Sequence, residues 1–251
     1  MIEVNNISAG YGKEEILHGI SFKAEEGKIT TLVGSNGSGK STLLKALLGL
    51  IPWSGGGITV DGMPVKGMSR AEIARRIAYL PQGKNVPDIS AGRMTLHGRF
   101  PYLSYPRRYR ESDFRIAEEA MRQMGVLELA DRQMAELSGG MRQKVYLAMA
   151  LAQQAPAIVM DEPTTYLDIG QQFKFAEIIK KLSESGKTIV LVLHDILLAL
   201  KISDHIAAVR DGKIIQCGTP EEILKTDIMR ELYGITVKSV RTEKGIQYYY
   251  E

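Results

Sequence analysis

Nine residues, Gly34-Ser35-Asn36-Gly37-Ser38-Gly39-Lys40-Ser41-Thr42, restrict the possible folds of this 251-residue chain more than any others. They fit the spacing G-x-x-x-x-G-K-[ST], follow the buried-strand candidate Ile29–Val33 and lead into the apolar helix Lys40–Leu50, stopped near Gly49 and Pro52. A buried strand, a glycine turn and a helix in that order wrap backbone N–H groups and a helix N-terminus around phosphate. Lys40 is then expected to reach the β- and γ-phosphates, and Ser41 to hold Mg²⁺ through its hydroxyl. A second glycine-rich helix start, Leu137-Ser138-Gly139-Gly140-Met141-Arg142-Gln143, lies about a hundred residues on. One such element suffices to bind a nucleotide. Two suggest that each subunit of a pair covers the γ-phosphate of a nucleotide held mainly by the other, which makes ATP part of an interface.

Three further groups stand at the ends of expected strands. Met160-Asp161-Glu162-Pro163 closes the apolar run Ala157–Met160, and ligands bind at that edge of open α/β sheets. Asp161 is the expected Mg²⁺ contact, and Glu162 the general base or orienter of the attacking water. His194 follows the run Thr188–Leu193 in the same way, suited to bond the γ-phosphate and keep Glu162 and water in register. Gln82 follows Ile77–Leu80, where its side-chain carbonyl suits the Mg²⁺ shell. Ser138 is a natural N-cap for a helix over Gly140–Gln154, which leaves the Gly139 and Gly140 amides and the helix dipole for an anion. His18, His97 and His205 have no comparable setting and no metal-ligand spacing.

The rest of the chain supports one α/β unit. Ile58–Val60 is a short strand between turn signals at Gly55–Gly57 and Asp61-Gly62. From about Val86 to Ala155 the pattern turns helical, over Ser112–Met124 and Gly140–Gln154. Strand character then returns, with a helix over Gly170–Ser183 between two continuous apolar runs of the kind a doubly covered parallel sheet requires. A short α+β tail closes the chain. The formal charge of +3, from 32 basic and 29 acidic residues, is too small to argue by itself for nucleic acid or a membrane surface. The single cysteine, Cys217, excludes an internal disulfide, fits a reducing compartment and reads as a small space-filling residue beside Gly218. No basic-then-apolar leader is visible, and no apolar run is long enough to cross a bilayer. A soluble protein that reaches any membrane through a partner is the expectation.

The order Gly34–Thr42, Gln82, Leu137–Gln143, Ile158–Glu162, His194 resembles the nucleotide-binding subunit of ATP-binding cassette (ABC) transporters across essentially the whole chain. The resemblance implies a P-loop NTPase, RecA-like α/β core (1–86 and 156–234) with an N-terminal antiparallel β subdomain. It also implies an inserted helical subdomain (87–155), with a C-terminal tail (235–251). Gly34–Thr42 becomes the Walker A loop, Gln82 the Q-loop, Leu137–Gln143 the signature, Ile158–Asp161 the Walker B strand with catalytic Glu162, and His194 the switch histidine. Tyr11 matches the aromatic residue that stacks on adenine. Asp168 matches the D-loop aspartate, which together with Ser138, Gly139, Gly140 and Gln143 serves the partner subunit's ATP. Thr165-Tyr166-Leu167-Asp168 and Gly98-Arg99-Phe100-Pro101-Tyr102 are similar to the ATPases of iron–siderophore, haem and cobalamin importers, while Asn85–Leu96 departs from that group. The implied assembly is a homodimer with ATP and Mg²⁺ at its interface. It would dock on integral membrane permease subunits at the cytoplasmic face of the membrane and be served by a substrate-binding protein, with no nucleic acid expected.

A competing expectation is a non-transport ABC ATPase acting on nucleic acid or ribosomes. Arg99, Arg107, Arg108, Arg110 and Arg115 lie among Tyr102, Tyr105 and Tyr109, an interleaving suited to phosphates and bases. Against it stand the lack of a long coiled-coil insertion and of a second cassette.

Overall fold

The computed structural model describes residues 1–83, 86–165, 167–243 and 245–251; Asn85 and Tyr166, both quoted above, lie outside the described residues, as do Lys84 and Lys244. In chain order the first elements are β1 (Ile2–Tyr11), β2 (Glu14–Ala24), β3 (Ile29–Val33), α1 (Lys40–Leu47), β4 (Trp53–Val60), β5 (Met63–Pro64), α2 (Arg70–Ala74) and β6 (Ile77–Leu80). The helical lobe follows with α3 (Ala91–Leu96), α4 (Glu111–Gln123) and α5 (Gly139–Ala152). The chain then returns through β7 (Ala157–Asp161), α6 (Ile169–Glu184), β8 (Thr188–Val192), α7 (Ile196–Ile202), β9 (His205–Arg210) and β10 (Lys213–Gly218). It closes with α8 (Pro220–Leu224), α9 (Ile228–Tyr233) and the hairpin β11 (Val237–Thr242) and β12 (Gly245–Tyr250).

A six-stranded sheet of order β10-β9-β3-β8-β7-β6 forms the centre, parallel except for the edge strand β10. Every residue of β3, β7 and β8 is buried, which explains why Ala157–Met160 and Ile189–Val192 run apolar without alternation, while β3 buries Thr30 and Thr31 among its apolar residues. The two faces nonetheless sort by the strand period of two. Ile158, Met160, Ile189 and Leu191 pack into a core shared with α5, α6 and α7. Ala157, Val159, Val190 and Val192 pack into a second core with α1 and the antiparallel sheet β2-β1-β4-β5. One sheet therefore separates two hydrophobic layers.

Gly55–Gly57, expected as a turn, is instead part of β4 and pairs with β1 from Asn5 to Ile7. The reason is steric. A Cβ on Gly56 would stand 1.8 Å from the Asn5 carbonyl oxygen, and Gly55 has φ 77° beside Asn6 at φ 47°. Glycine here admits a close strand approach and a local irregularity rather than a chain reversal. The expected helix Lys40–Leu50 stops at Leu47, because Gly49 takes φ 62° and closes the last turn. Cys217 is a free, exposed residue of β10.

The lobe is held by the segment singled out above at Gly98–Tyr102. Gly98 lets the chain approach α5 so closely that a Cβ would lie 2.2 Å from the Met149 carbonyl oxygen. Arg99 is 6% exposed and donates to Asp113 Oδ1 at 3.0 Å, to the Ala152 carbonyl at 2.9 Å and to Gln154 Oε1 at 2.9 Å. The Tyr102 hydroxyl donates to the Gln153 carbonyl at 2.9 Å, and the Arg99 guanidinium lies 4.0 Å from the centre of the Tyr102 ring. These groups satisfy the open carbonyls at the C-terminus of α5. Burial alone would raise the Asp113 carboxyl, but the Arg110 amide and the Arg99 guanidinium hold it below its ordinary value. Arg99→Ala strands a buried carboxylate. It should cost about 3–5 kcal/mol and lower the melting temperature by roughly 10 °C. Arg99→Met combined with Asp113→Leu should recover only part of that loss in the same thermal melt. It removes the stranded carboxylate but leaves the Ala152 carbonyl and the Arg110 amide without these partners.

Candidate active site

Register assembles the site. Leu32 of β3 and Asp161 of β7 both pair with Val192 of β8, and Leu80 of β6 pairs with Met160 of β7. Gly34, Glu162, His194 and Gln82 each follow within two residues of those pairs, so four chain segments deliver polar groups to one sheet edge.

The loop from β3 into α1 is built around Lys40. The N-cap of α1 is Gly39 at φ 103°, with no side-chain cap, so the first amides of the helix are left to a ligand. Lys40 Nζ donates to the Gly34 carbonyl at 2.8 Å, the Ser35 carbonyl at 2.8 Å and Ser38 Oγ at 3.2 Å. Burial pushes the Lys40 ammonium below its ordinary pKa, while Glu162 and Asp161 pull it back up. The ammonium is thus desolvated, oriented and set opposite carboxylates, the state in which an added phosphate charge is most attractive. Asn36, Gly37 and Thr42 complete the loop and the first turn, Asn36 and Gly37 exposed and Thr42 buried.

Glu162 is the most constrained acid of the edge. Its backbone takes φ 49°, in the left-handed region, anchored by its amide on the Val192 carbonyl at 3.2 Å. Its carboxylate accepts from Gln82 Nε2 at 2.5 Å and Thr165 Oγ1 at 3.3 Å, and lies 2.6 Å from His194 Nε2. The Glu162 side chain is 14% exposed and the His194 side chain 44% exposed. Gln82, Glu162 and His194, read separately from three strand exits, therefore form one hydrogen-bonded group. Thr165 belongs to it as well and was missed, because a threonine three residues past the carboxylate has no motif of its own.

Asp161 tests the expected Mg²⁺. Burial raises its carboxyl pKa, the Ser41 hydroxyl hydrogen bond opposes that rise, and Glu162 adds to it. Its Oδ1 is buried with no hydrogen-bond partner. A buried, unpaired carboxylate oxygen beside a serine hydroxyl fits a hard divalent cation. Gln82 bonds Glu162 through its amide nitrogen, not through the carbonyl oxygen that Mg²⁺ would need.

Tyr11 ends β1 and is 44% exposed; its hydroxyl accepts from Lys45 Nζ at 3.1 Å, and that ammonium lies 5.5 Å from the ring centre. Lys45 of α1, unremarked in the sequence, thereby ties the aromatic residue to the phosphate-loop helix.

Ser138, Gly139, Gly140 and Gln143 form the start of α5, where the Ser138 hydroxyl caps the Met141 amide at 3.4 Å. Asp168 caps α6, accepting from the Gln171 amide at 2.8 Å and from Gln171 Nε2 at 2.5 Å. Gln171 in turn lies over Gly140, where a Cβ would meet its Oε1 at 2.4 Å. Ser138, Gly140, Gln143 and Gln171 line a cavity of about 170 Å³ between α5 and α6. That set is separate from the Lys40–Glu162 edge, apart from Gly139 and Gln143, which line a groove of about 540 Å³ that Glu162 also bounds. The arginine–tyrosine passage loses its regularity in the fold, since Arg99 and Tyr102 turn inward and Arg115 pairs with Glu111.

Residues 17–165 match the family model described as ABC transporter. The chain is 36% identical over 250 residues to the iron(3+)-hydroxamate import ATP-binding protein FhuC of Bacillus subtilis (strain 168), covering 98% of this chain and 93% of FhuC. It is 36% identical over 231 residues to the ferric enterobactin transport ATP-binding protein FepC of Escherichia coli (strain K12), covering 91% of this chain and 85% of FepC. Among solved structures it is similar to a dimeric ATP-binding cassette in a post-hydrolysis state bound to ADP and Pi. There the TM-score is 0.74 and the identity 28%, over 88% of this chain and 99% of that one.

Asp161 also yields a stability test. Its folded-state pKa lies above the ordinary carboxylate value, so the ionised form that prevails at neutral pH costs stability. Asp161→Asn should raise the melting temperature of the nucleotide-free, metal-free protein at pH 7.5. The gain should shrink as pH falls through the Asp161 pKa, where the carboxyl is already neutral. A lower melting temperature at pH 7.5 would show that the pairing with Ser41 and Lys40 outweighs desolvation.

Proposed function

The chain belongs to the ABC transporter family, and from that premise we propose that it is the ATP-hydrolysing subunit of an importer for ferric siderophores. Relatives named for iron(3+)-hydroxamate and ferric enterobactin transport support that cargo class. The reading gives the nucleotide's phosphates to residues 34–42, its adenine to Tyr11 and the hydrolytic step to Glu162. Ser41, Asp161 and Gln82 would hold Mg²⁺, which when bound supplies positive charge to the phosphate oxygens.

The observation that carries the catalytic assignment is the carboxylate of Glu162, held by Gln82, Thr165 and His194 beside the buried Lys40 ammonium. A carboxylate fixed by three donors loses little freedom when it accepts a proton from an attacking water. His194 Nε2–H bonded to Glu162 keeps the imidazole in one tautomer and orients the carboxylate. Lys40, already desolvated, contributes charge stabilisation without further reorganisation.

Two copies would close face to face, with Ser138, Gly139, Gly140, Gln143 and Asp168 of each meeting the other's ATP. A dimeric cassette with ADP and Pi supports that arrangement. The lobe 87–155 would carry the motion to a membrane permease, with the cassette peripheral at the cytoplasmic face of the membrane and a substrate-binding protein upstream. Among the described residues no helix is long and apolar enough to cross a membrane, so this attachment would run through the permease. ATP favours the closed pair through contacts that exist only there, and hydrolysis removes them.

Glu162→Gln should lower kcat by about 10²–10⁴-fold while an ATP-dependent dimer accumulates on size exclusion. Deleting the gene in its host should abolish ferric-siderophore uptake, and the Glu162→Gln form should fail to restore it. Normal turnover by that variant would remove Glu162 from the reaction. Unimpaired ferric-siderophore uptake in the deletion strain would remove the cargo assignment.

A further inference from the structure

The nucleotide reading leaves the C-terminal segment without a role, yet one of its side chains enters the phosphate loop. The backbone N–H of Gly34 donates to the Tyr233 hydroxyl at 2.5 Å, across 199 residues of sequence. Gly34 opens the loop and is itself the residue whose carbonyl receives Lys40 Nζ at 2.8 Å. It sits at φ 152°, and a Cβ there would meet the Val209 carbonyl oxygen at 2.1 Å, so no other residue fits. Such a glycine has no side chain to fix its torsions. The phenol on its N–H side and the ammonium on its carbonyl side fix them instead.

Tyr233 is built to hold that place. It is the last residue of α9, and Gly234 at φ 68° ends the helix directly behind it. Glu231 of the same helix pairs with Arg210 of β9 at 3.0 Å. Burial pushes the Tyr233 hydroxyl up to about 12, so it stays a neutral phenol at any working pH. Beyond it, β12 returns the tail across α7, the helix that follows His194, where the Tyr250 hydroxyl meets the Leu197 backbone.

We infer that Tyr233 is a positioning residue for nucleotide phosphate binding: through Gly34 it sets the carbonyl that aims Lys40, and so tunes affinity for the β-phosphate without touching the nucleotide. The inference rests on ATP binding at residues 34–42. Tyr233→Phe removes only the hydroxyl and leaves the ring to pack. In the full-length protein it should weaken ADP binding and raise the KM for ATP by about three- to tenfold, the worth of one hydrogen bond, with kcat within about twofold of wild type. AMP, which lacks the β-phosphate and draws on Tyr11 for its base, should bind the variant and the wild type equally. Unchanged ADP affinity in Tyr233→Phe, or equal losses for ADP and AMP, would overturn the inference. Wild-type protein measured in parallel separates the two levels, because failure of the wild type to bind ADP would defeat the nucleotide reading itself.

Discussion

Parallel register is the constraint on which the site depends. β3, β8, β7 and β6 are neighbours, and their pairing sets Leu32 against Val192, Val192 against Asp161, and Met160 against Leu80. A parallel ladder places every strand's C-terminal end at the same edge. Four short segments that are far apart in sequence therefore present a glycine loop, two carboxylates, an imidazole and an amide at one edge, where Glu162 bonds the amide and the imidazole and Ser41 bonds Asp161. Slipping one strand by a single residue would exchange the two cores, since alternate residues of β7 and β8 serve opposite layers. The register that buries the apolar residues correctly is the same one that aligns the polar ends. Folding and site assembly are thus specified by a single set of contacts.

Charge at that edge is arranged as a standing imbalance. Burial destabilises the Lys40 ammonium and the Asp161 carboxylate alike, and each is only partly compensated by the other. The natural remedy for a buried ammonium is an anion, and for a buried carboxylate oxygen without a donor it is a cation. A triphosphate carrying Mg²⁺, as proposed above, would provide both together. Binding free energy would then come from relieving costs already present in the folded chain, in addition to new contacts. Glu162 is treated differently. Its carboxylate is satisfied by neighbouring donors, so it is held in place without being neutralised by a full opposite charge in contact.

Most of this was legible because its signals are local. The strand Ile29–Val33, the loop and helix after it, and the ends of β6, β7 and β8 all lie within a dozen residues of their own motif, and β7 and β8 declare themselves by apolar runs. What misled was glycine, which signals a reversal and a close approach with the same letter. At Gly55–Gly57 the structure uses it for the approach of β1. Gly98-Arg99-Phe100-Pro101-Tyr102 was legible as a family feature but not as the latch on the C-terminus of α5, because its partners Asp113 and Gln153 are set only by the fold. Tyr233 was invisible for the same reason. A tyrosine near the end of a chain carries no pattern that points 199 residues back to a glycine amide.

The two glycine-rich helix starts, so alike in sequence, are finished in opposite ways, and the difference indicates what each can bind. α1 begins at a left-handed glycine with no side-chain cap, next to a buried lysine that supplies full positive charge. It can enclose an anion alone. α5 begins at Ser138, whose hydroxyl takes the Met141 amide and leaves those of Gly139 and Gly140, with Gln171 over one glycine and, where α1 has a buried lysine, the half-buried Lys144 and the exposed Lys174 along its cavity. The helix dipole there is worth only about 0.3–1 kcal/mol, and ammonium groups open to solvent add little to it, so the site holds a phosphate weakly by itself. It gains purpose only when something else brings the anion to it. A partner subunit that gripped the nucleotide through its own α1, as proposed above, would meet that requirement, and the weaker of the two helix starts would then have a use in a pair that it lacks in a monomer.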